Sequence, residues 1–137
     1  MAAKRTVSRF VAAAGPWLPV VLWMTGIFVS SSVPGEDIPF LFPQQDVLYH
    51  GIIYVILGLF LYRALHRSLP RMSWRMLVLV AALCATLFGV SDELHQTFVS
   101  GRTATLKDLI VDFAGSFLGA FVKGIIAPWL SSHHLRQ

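Results

Sequence analysis

Four apolar stretches, each long enough to cross a bilayer, constrain this chain more than any other feature. They run from about Phe10 to Val29, from Asp46 to Leu65, from Met76 to about Gln96, and from about Leu106 to Ile126. A helical span needs about 20 mostly apolar residues. Hydrocarbon offers the backbone no hydrogen-bond partners, so each stretch must satisfy its own peptide groups and reads as a helix. What remains of the 137 residues leaves no room for a second domain. The chain is therefore expected to be all-α: one transmembrane domain over residues 1–137, a bundle of four membrane-spanning helices. Its composition agrees, with 55% hydrophobic and 13% charged residues where a soluble domain has about a quarter charged. Disorder is excluded by the same apolar content.

The first stretch has a basic start (Lys4, Arg5, Arg9) and a small-residue end (Ser30, Ser31, Ser32), as a secretory signal peptide does. Its apolar run exceeds the 7–15 residues typical of such a signal, so it reads as a retained helix bent by Pro16 and Pro19. Orientation follows from Lys and Arg, which collect on cytoplasmic loops. With both termini cytoplasmic, Lys4, Arg5, Arg9, Arg63, Arg67, Arg71, Arg75, Lys123 and Arg136 fall inside, against Arg102 and Lys107 outside. All seven acids (Glu36, Asp37, Asp46, Asp92, Glu93, Asp108, Asp112) fall on the outer half. The net charge of +4 thus reports topology and anionic inner-leaflet lipid, and no nucleic-acid partner is expected. The inner loop from His66 to Arg75 is short and basic. The outer loop from Ser30 to Gln45 carries Pro34, Pro39 and Pro43 around Phe40, Leu41 and Phe42, which suits a segment resting on the membrane interface. Cys84, alone in an apolar run, cannot form an intrachain disulfide and reads as a packing residue.

Polar groups inside a membrane helix are costly and face a bundle interior or a wet cavity. Here they gather at the outer ends of the second, third and fourth helices. Asp46, His50 and Tyr54 are spaced four apart and stack on one face. His50, a turn inside the helix, pairs with Asp46 in this reading. The third helix ends in Ser91-Asp92-Glu93-Leu94-His95-Gln96. Glu93 and Gln96 share a face that also carries Gly89, which turns Glu93 inward, whereas Asp92 and His95 read as a solvated helix end. Thr105 and Asp108 have the spacing of a capping box. Asp112 lies one turn deeper on the face that continues into Gly115 and Gly119. Such small-residue faces let helices approach closely, so Asp108 and Asp112 are expected to face the bundle with Arg102 or His50 as partner. The same glycine face could join two copies of the chain.

In this order and placement the residues resemble the VanZ-like family of small bacterial membrane proteins. The resemblance rests on Asp46, His50 and Tyr54, then Asp92, Glu93 and Gln96, Phe98, Gly101 with Arg102, Asp108, the acid-or-amide position at Asp112, and Gly115. This chain has Val47 where the family often has Lys, and Asp112 where it often has Asn. The resemblance implies a multi-pass protein of the bacterial cytoplasmic (inner) membrane. It also implies a link to low-level teicoplanin resistance, a property of the founding member.

Three kinds of function fit these residues. In the first, an outward polar pocket of Asp46, His50, Tyr54, Glu93, Gln96, Arg102, Asp108 and Asp112 engages a membrane lipid head group or a lipid-linked cell-wall intermediate. Arg102 would clamp a phosphate or carboxylate there. In the second, an intramembrane hydrolase or transferase uses His50 as general base, polarised by Asp46, with Glu93 or Asp108 as acid; Ser91 and Tyr54 are the available nucleophiles, and Cys84 sits too deep. In the third the chain is a proton-coupled carrier or a structural adaptor. A carrier is disfavoured because the inner halves of helices two to four lack a polar trail. No tight metal motif such as His-Glu-x-x-His occurs, so no cofactor is required; His50 with Asp46, Glu93, Asp108 or Asp112 is the set that could hold a divalent metal.

Overall fold

The computed structural model describes residues 14–134, with side chains as far as Ile126. Residues 10–13 of the first apolar stretch, together with Lys4, Arg5, Arg9 and Arg136, lie outside the described residues. Four helices follow one another: α1 (Leu18–Ser31), α2 (Gln45–Ser68), α3 (Trp74–Gln96) and α4 (Leu106–His134). Short 3-10 turns occupy Gly15–Trp17 and Gly35–Asp37, and no strand occurs among the described residues.

Among the described residues, three helices have the length and hydropathy of a membrane span: Gln45–Ser68, Trp74–Gln96 and Leu106–Ile126. α1 is apolar but only 14 residues long, about 21 Å at 1.5 Å per residue. Its limits have local causes. Pro16 lies in the 3-10 turn, and Pro19 occupies the first turn of the helix, where a missing N–H costs nothing. At the other end the hydroxyls of Ser30 and Ser32 donate back to the carbonyls of Ile27 and Phe28 at 2.8 and 2.7 Å. Two tryptophans, one in α1 and one in the 3-10 turn before it, tie this part of the chain along α2. Trp17 donates through Nε1 to the Ser68 hydroxyl at 3.0 Å, and Trp23 to the Ile53 carbonyl at 2.8 Å.

The bundle has an apolar core, yet it also buries polar groups and turns large apolar side chains outward, unlike a soluble domain. Asp92, Glu93, Gln96, Asp108, Asp112 and Ser116 are buried, while Leu22, Leu87, Leu94, Ile110 and Phe98 are exposed. That apolar exterior belongs to a chain whose solvent is lipid. Cys84 follows the same rule: it is exposed on the bundle exterior rather than packed inside as expected.

Helices α2 and α4 form the closest pair because small residues line their seam. A Cβ on Gly58 would strike the Ser116 backbone, and one on Gly119 would strike the Val55 carbonyl. A Cβ on Gly115 would come within 2.8 Å of the Gly51 carbonyl oxygen. The Gly115–Gly119 face, read as turned toward the bundle, packs against α2 of the same chain.

One rim of the bundle brings together the end of α1, the start of α2, the end of α3 and the start of α4. Two loops close over it. The Gly35 N–H donates to the Ser100 carbonyl at 2.9 Å, and a Cβ on Gly35 would meet the Gly101 backbone. Gly101 itself adopts φ 69°, a conformation most residues avoid. The seven acids lie at or near this rim; Arg63, Arg67, Arg71, Arg75 and Lys123 lie at the opposite end.

Candidate functional site

Beneath the loop-covered rim lies a cavity of about 240 Å³. Its walls come from α1 (Ile27, Ser30, Ser31), α2 (Asp46, Tyr49, His50, Ile53), α3 (Asp92, Gln96) and the loop residue Arg102. Apolar and ionisable groups both line it. That mixture suits a ligand that is part hydrocarbon and part head group.

Arg102 is half-buried, and its donors are largely unspent. Nη2 reaches the Ser30 carbonyl only at 3.5 Å, and the buried Nε has no partner. The expected pairing of Arg102 with Asp108 or Asp112 does not form: among the described residues no carboxylate lies within ion-pair distance of it. The loop after α3 aims the guanidinium across the rim toward α1, away from the start of α4.

His50 takes the partner on α4 instead. Its Nδ1 lies 2.9 Å from Asp112 Oδ1, and Asp112 is fully buried. Asp46, the partner expected one turn away on the same helix, is exposed at the cavity mouth. The spacing of four does stack His50 on Tyr54, with ring planes 4° apart. The Tyr54 hydroxyl and Asp112 Oδ2 are both buried and face each other. Both press against Gly89, where a Cβ would stand 2.7 Å from Asp112 Oδ2 and 3.1 Å from the Tyr54 oxygen. Gly89 is therefore the residue on α3 that makes room for this pair.

Glu93 and Asp108 converge through Thr105, the N-cap of α4. The Asp108 N–H donates to Thr105 Oγ1 at 3.2 Å, and that hydroxyl donates to Asp108 Oδ2 at 2.6 Å. In a full capping box the acid would reach back to the cap N–H. Here Glu93 does so from α3, its Oε2 accepting from Thr105 N–H at 2.9 Å. Each carboxylate keeps one buried oxygen unpartnered, Glu93 Oε1 and Asp108 Oδ1. Ligand atoms of His50, Glu93 and Asp108 all lie within 4.8 Å of one another, close enough to share one ion. Asp46 does not join this group.

Asp92 departs from the expected solvated helix end. It is buried, accepting from the Ser31 hydroxyl at 2.7 Å and from Gln96 Nε2 at 3.1 Å. Its spacing of four from Gln96 was visible in the sequence; Ser31, 61 residues away, was not. His95 is half-buried, stacked on Phe28 with centroids 4.2 Å apart and bonded to Ser32 at 3.0 Å. Of the nucleophile candidates, Ser91 is exposed and donates to the Phe88 carbonyl at 2.7 Å, outside the cavity.

The sequence model of the family described as VanZ/LLP1 matches residues 16–127. No curated protein and no solved structure matches the chain.

Proposed function

The chain belongs to the VanZ/LLP1 family, and from that footing we propose that its cavity binds a head group carrying both a phosphate and an amine at the outer face of the bacterial cytoplasmic membrane. The observation that carries this reading is Arg102: a cation lining a membrane-embedded cavity with its donors unspent. A guanidinium with free N–H groups in a half-dry site is a phosphate receptor. Asp46 at the mouth supplies the opposite charge, so a zwitterionic head group satisfies both ends where a purely anionic one would face surplus acid. Outward orientation follows from the basic residues at the opposite rim, which favour the cytoplasmic side.

Native mass spectrometry of the full chain in mild detergent tests the binding. Added phosphatidylethanolamine is expected to stay bound where phosphatidylglycerol is lost. Arg102→Gln is expected to weaken retention about tenfold, the worth of one charge-assisted hydrogen-bond pair. Equal retention of both lipids, or no effect of Arg102→Gln, contradicts the reading. A third arm with an undecaprenyl-type pyrophosphate lipid distinguishes a bulk phospholipid from a lipid-linked wall intermediate. Preference for the latter would place the protein where a glycopeptide acts, and teicoplanin susceptibility of cells with and without the protein is then the cellular readout.

A second reading, hydrolysis or transfer at a lipid head group, is favoured by the His50–Asp112 pair. An imidazole held by a buried carboxylate is the arrangement of a general base with its orienting partner. With Ser91 turned away, water would be the nucleophile. Release of a cleaved head group from bound lipid, lost in His50→Gln, separates this reading from binding alone.

A further inference from the structure

The acids used to hold α3 against the start of α4 are only half spent, and both stand beside His50. We propose that His50, Glu93 and Asp108 bind a divalent transition-metal ion, with Asp112 positioning the histidine. The inference goes beyond head-group binding and stands without it, sharing only His50 with the cavity wall.

Four observations lead there. The three side chains bring one ligand atom each within 4.8 Å of the others. Three ligands held about 2.0–2.2 Å from one tetrahedral or trigonal ion stand roughly 3.3–3.8 Å apart, so side-chain movements of about an ångström would complete the site. Glu93 and Asp108 are 5% and 6% exposed, yet Glu93 Oε1 and Asp108 Oδ1 have no hydrogen-bond partner. Buried carboxylate oxygens left unpaired are costly, and no cation among the described residues reaches them. A divalent ion would offset both charges. Thr105 fixes the other oxygen of each acid, through its N–H to Glu93 and its hydroxyl to Asp108. The free oxygens are thereby held in place. Finally, His50 engages Asp112 through Nδ1 at 2.9 Å, leaving Nε2 as the coordinating atom. Metal-bound histidines characteristically donate their other ring N–H to a carboxylate in this way.

The donor set selects the ion. One imidazole with two carboxylates suits zinc or manganese, whereas calcium prefers an all-oxygen shell. Three protein ligands leave a coordination position open, and His50 lies on the cavity wall. A water or a phosphate oxygen arriving from the cavity would fill it.

The test uses the full chain in detergent, stripped with chelator and dialysed against zinc or manganese alone, with bound metal measured by elemental mass spectrometry. One ion per chain is expected. Glu93→Gln and Asp108→Asn should each weaken binding at least tenfold, and Asp112→Asn about 10–100-fold, the usual effect of losing the carboxylate behind a metal-bound histidine. The exposed Asp37→Asn should bind as the wild type does. Failure of the stripped wild-type chain to take up either ion overturns the proposal, as does unchanged uptake when Glu93 and Asp108 are both amides. Should those variants not fold, X-ray absorption of the loaded wild type decides. One imidazole nitrogen among oxygens supports the site; a shell without nitrogen overturns it. An ion without retained lipid leaves the metal site standing and removes the head-group reading, whereas lipid without an ion does the reverse.

Discussion

Asp92 and Asp112 show how one residue type, buried in the same bundle, takes on different work. Asp92 is saturated: Ser31 from α1 and Gln96 from its own helix both donate to it. It acts as a clasp between α1 and α3. Asp112 spends one oxygen on His50 and turns the other toward the Tyr54 hydroxyl, which ties it to the histidine of the site. A double-mutant cycle on Ser31→Ala and Asp92→Asn should give a coupling of about 1–2 kcal/mol in detergent unfolding, the value of a buried hydrogen bond to a charged acceptor. Additivity of the two changes would mean that the clasp contributes nothing. Spacing along a helix made the inward faces of His50, Glu93 and Asp112 legible in the sequence, because side chains four apart share a face. It did not show which neighbour each would meet. Asp46 is one turn from His50 in sequence, yet the partner is Asp112, 62 residues away. The reason is that α4 packs against the inner side of α2 while Asp46 faces the open mouth.

At the scale of the helices, the α2–α4 seam sets the geometry of the site. Gly58 meets Ser116, Gly115 meets Gly51, and Gly119 meets Val55 at backbone distance, which lets Asp112 come up against His50. Widening this seam would pull the histidine from its carboxylate. Gly119→Val is therefore expected to destabilise the bundle by about 3 kcal/mol or more, since a side chain forced into a packed seam moves backbone. Gly26→Ala, where an added Cβ meets nothing within 4 Å, should be neutral or stabilising by up to about 1 kcal/mol. Equal behaviour of the two variants in thermal unfolding would contradict this packing. Three spans and the small-residue face were legible because bilayer thickness and helix rise leave little freedom. The bend read at Pro16 and Pro19 falls where a 3-10 turn leads into α1, and residues 10–13 of that stretch lie outside the described residues.

Across the whole molecule, charge is sorted by end and polarity by depth. Basic residues mark one rim, and acids gather at and beneath the other, inside a shell of leucine, isoleucine and phenylalanine. Neutral polar groups would knit the helices together at lower cost than charges in so dry a place. The arrangement makes sense if the acids under the rim are kept for what they bind, at some expense to the fold. Unfolding of the metal-free chain carrying both Glu93→Gln and Asp108→Asn tests this most directly. The amides keep the hydrogen bonds from Thr105 and discard the two unpaired charges. The double variant should therefore be at least as stable as the wild type in chelator, by up to a few kcal/mol. A loss of more than about 2 kcal/mol would show that the charges hold the bundle together, and that the cluster is scaffold rather than site.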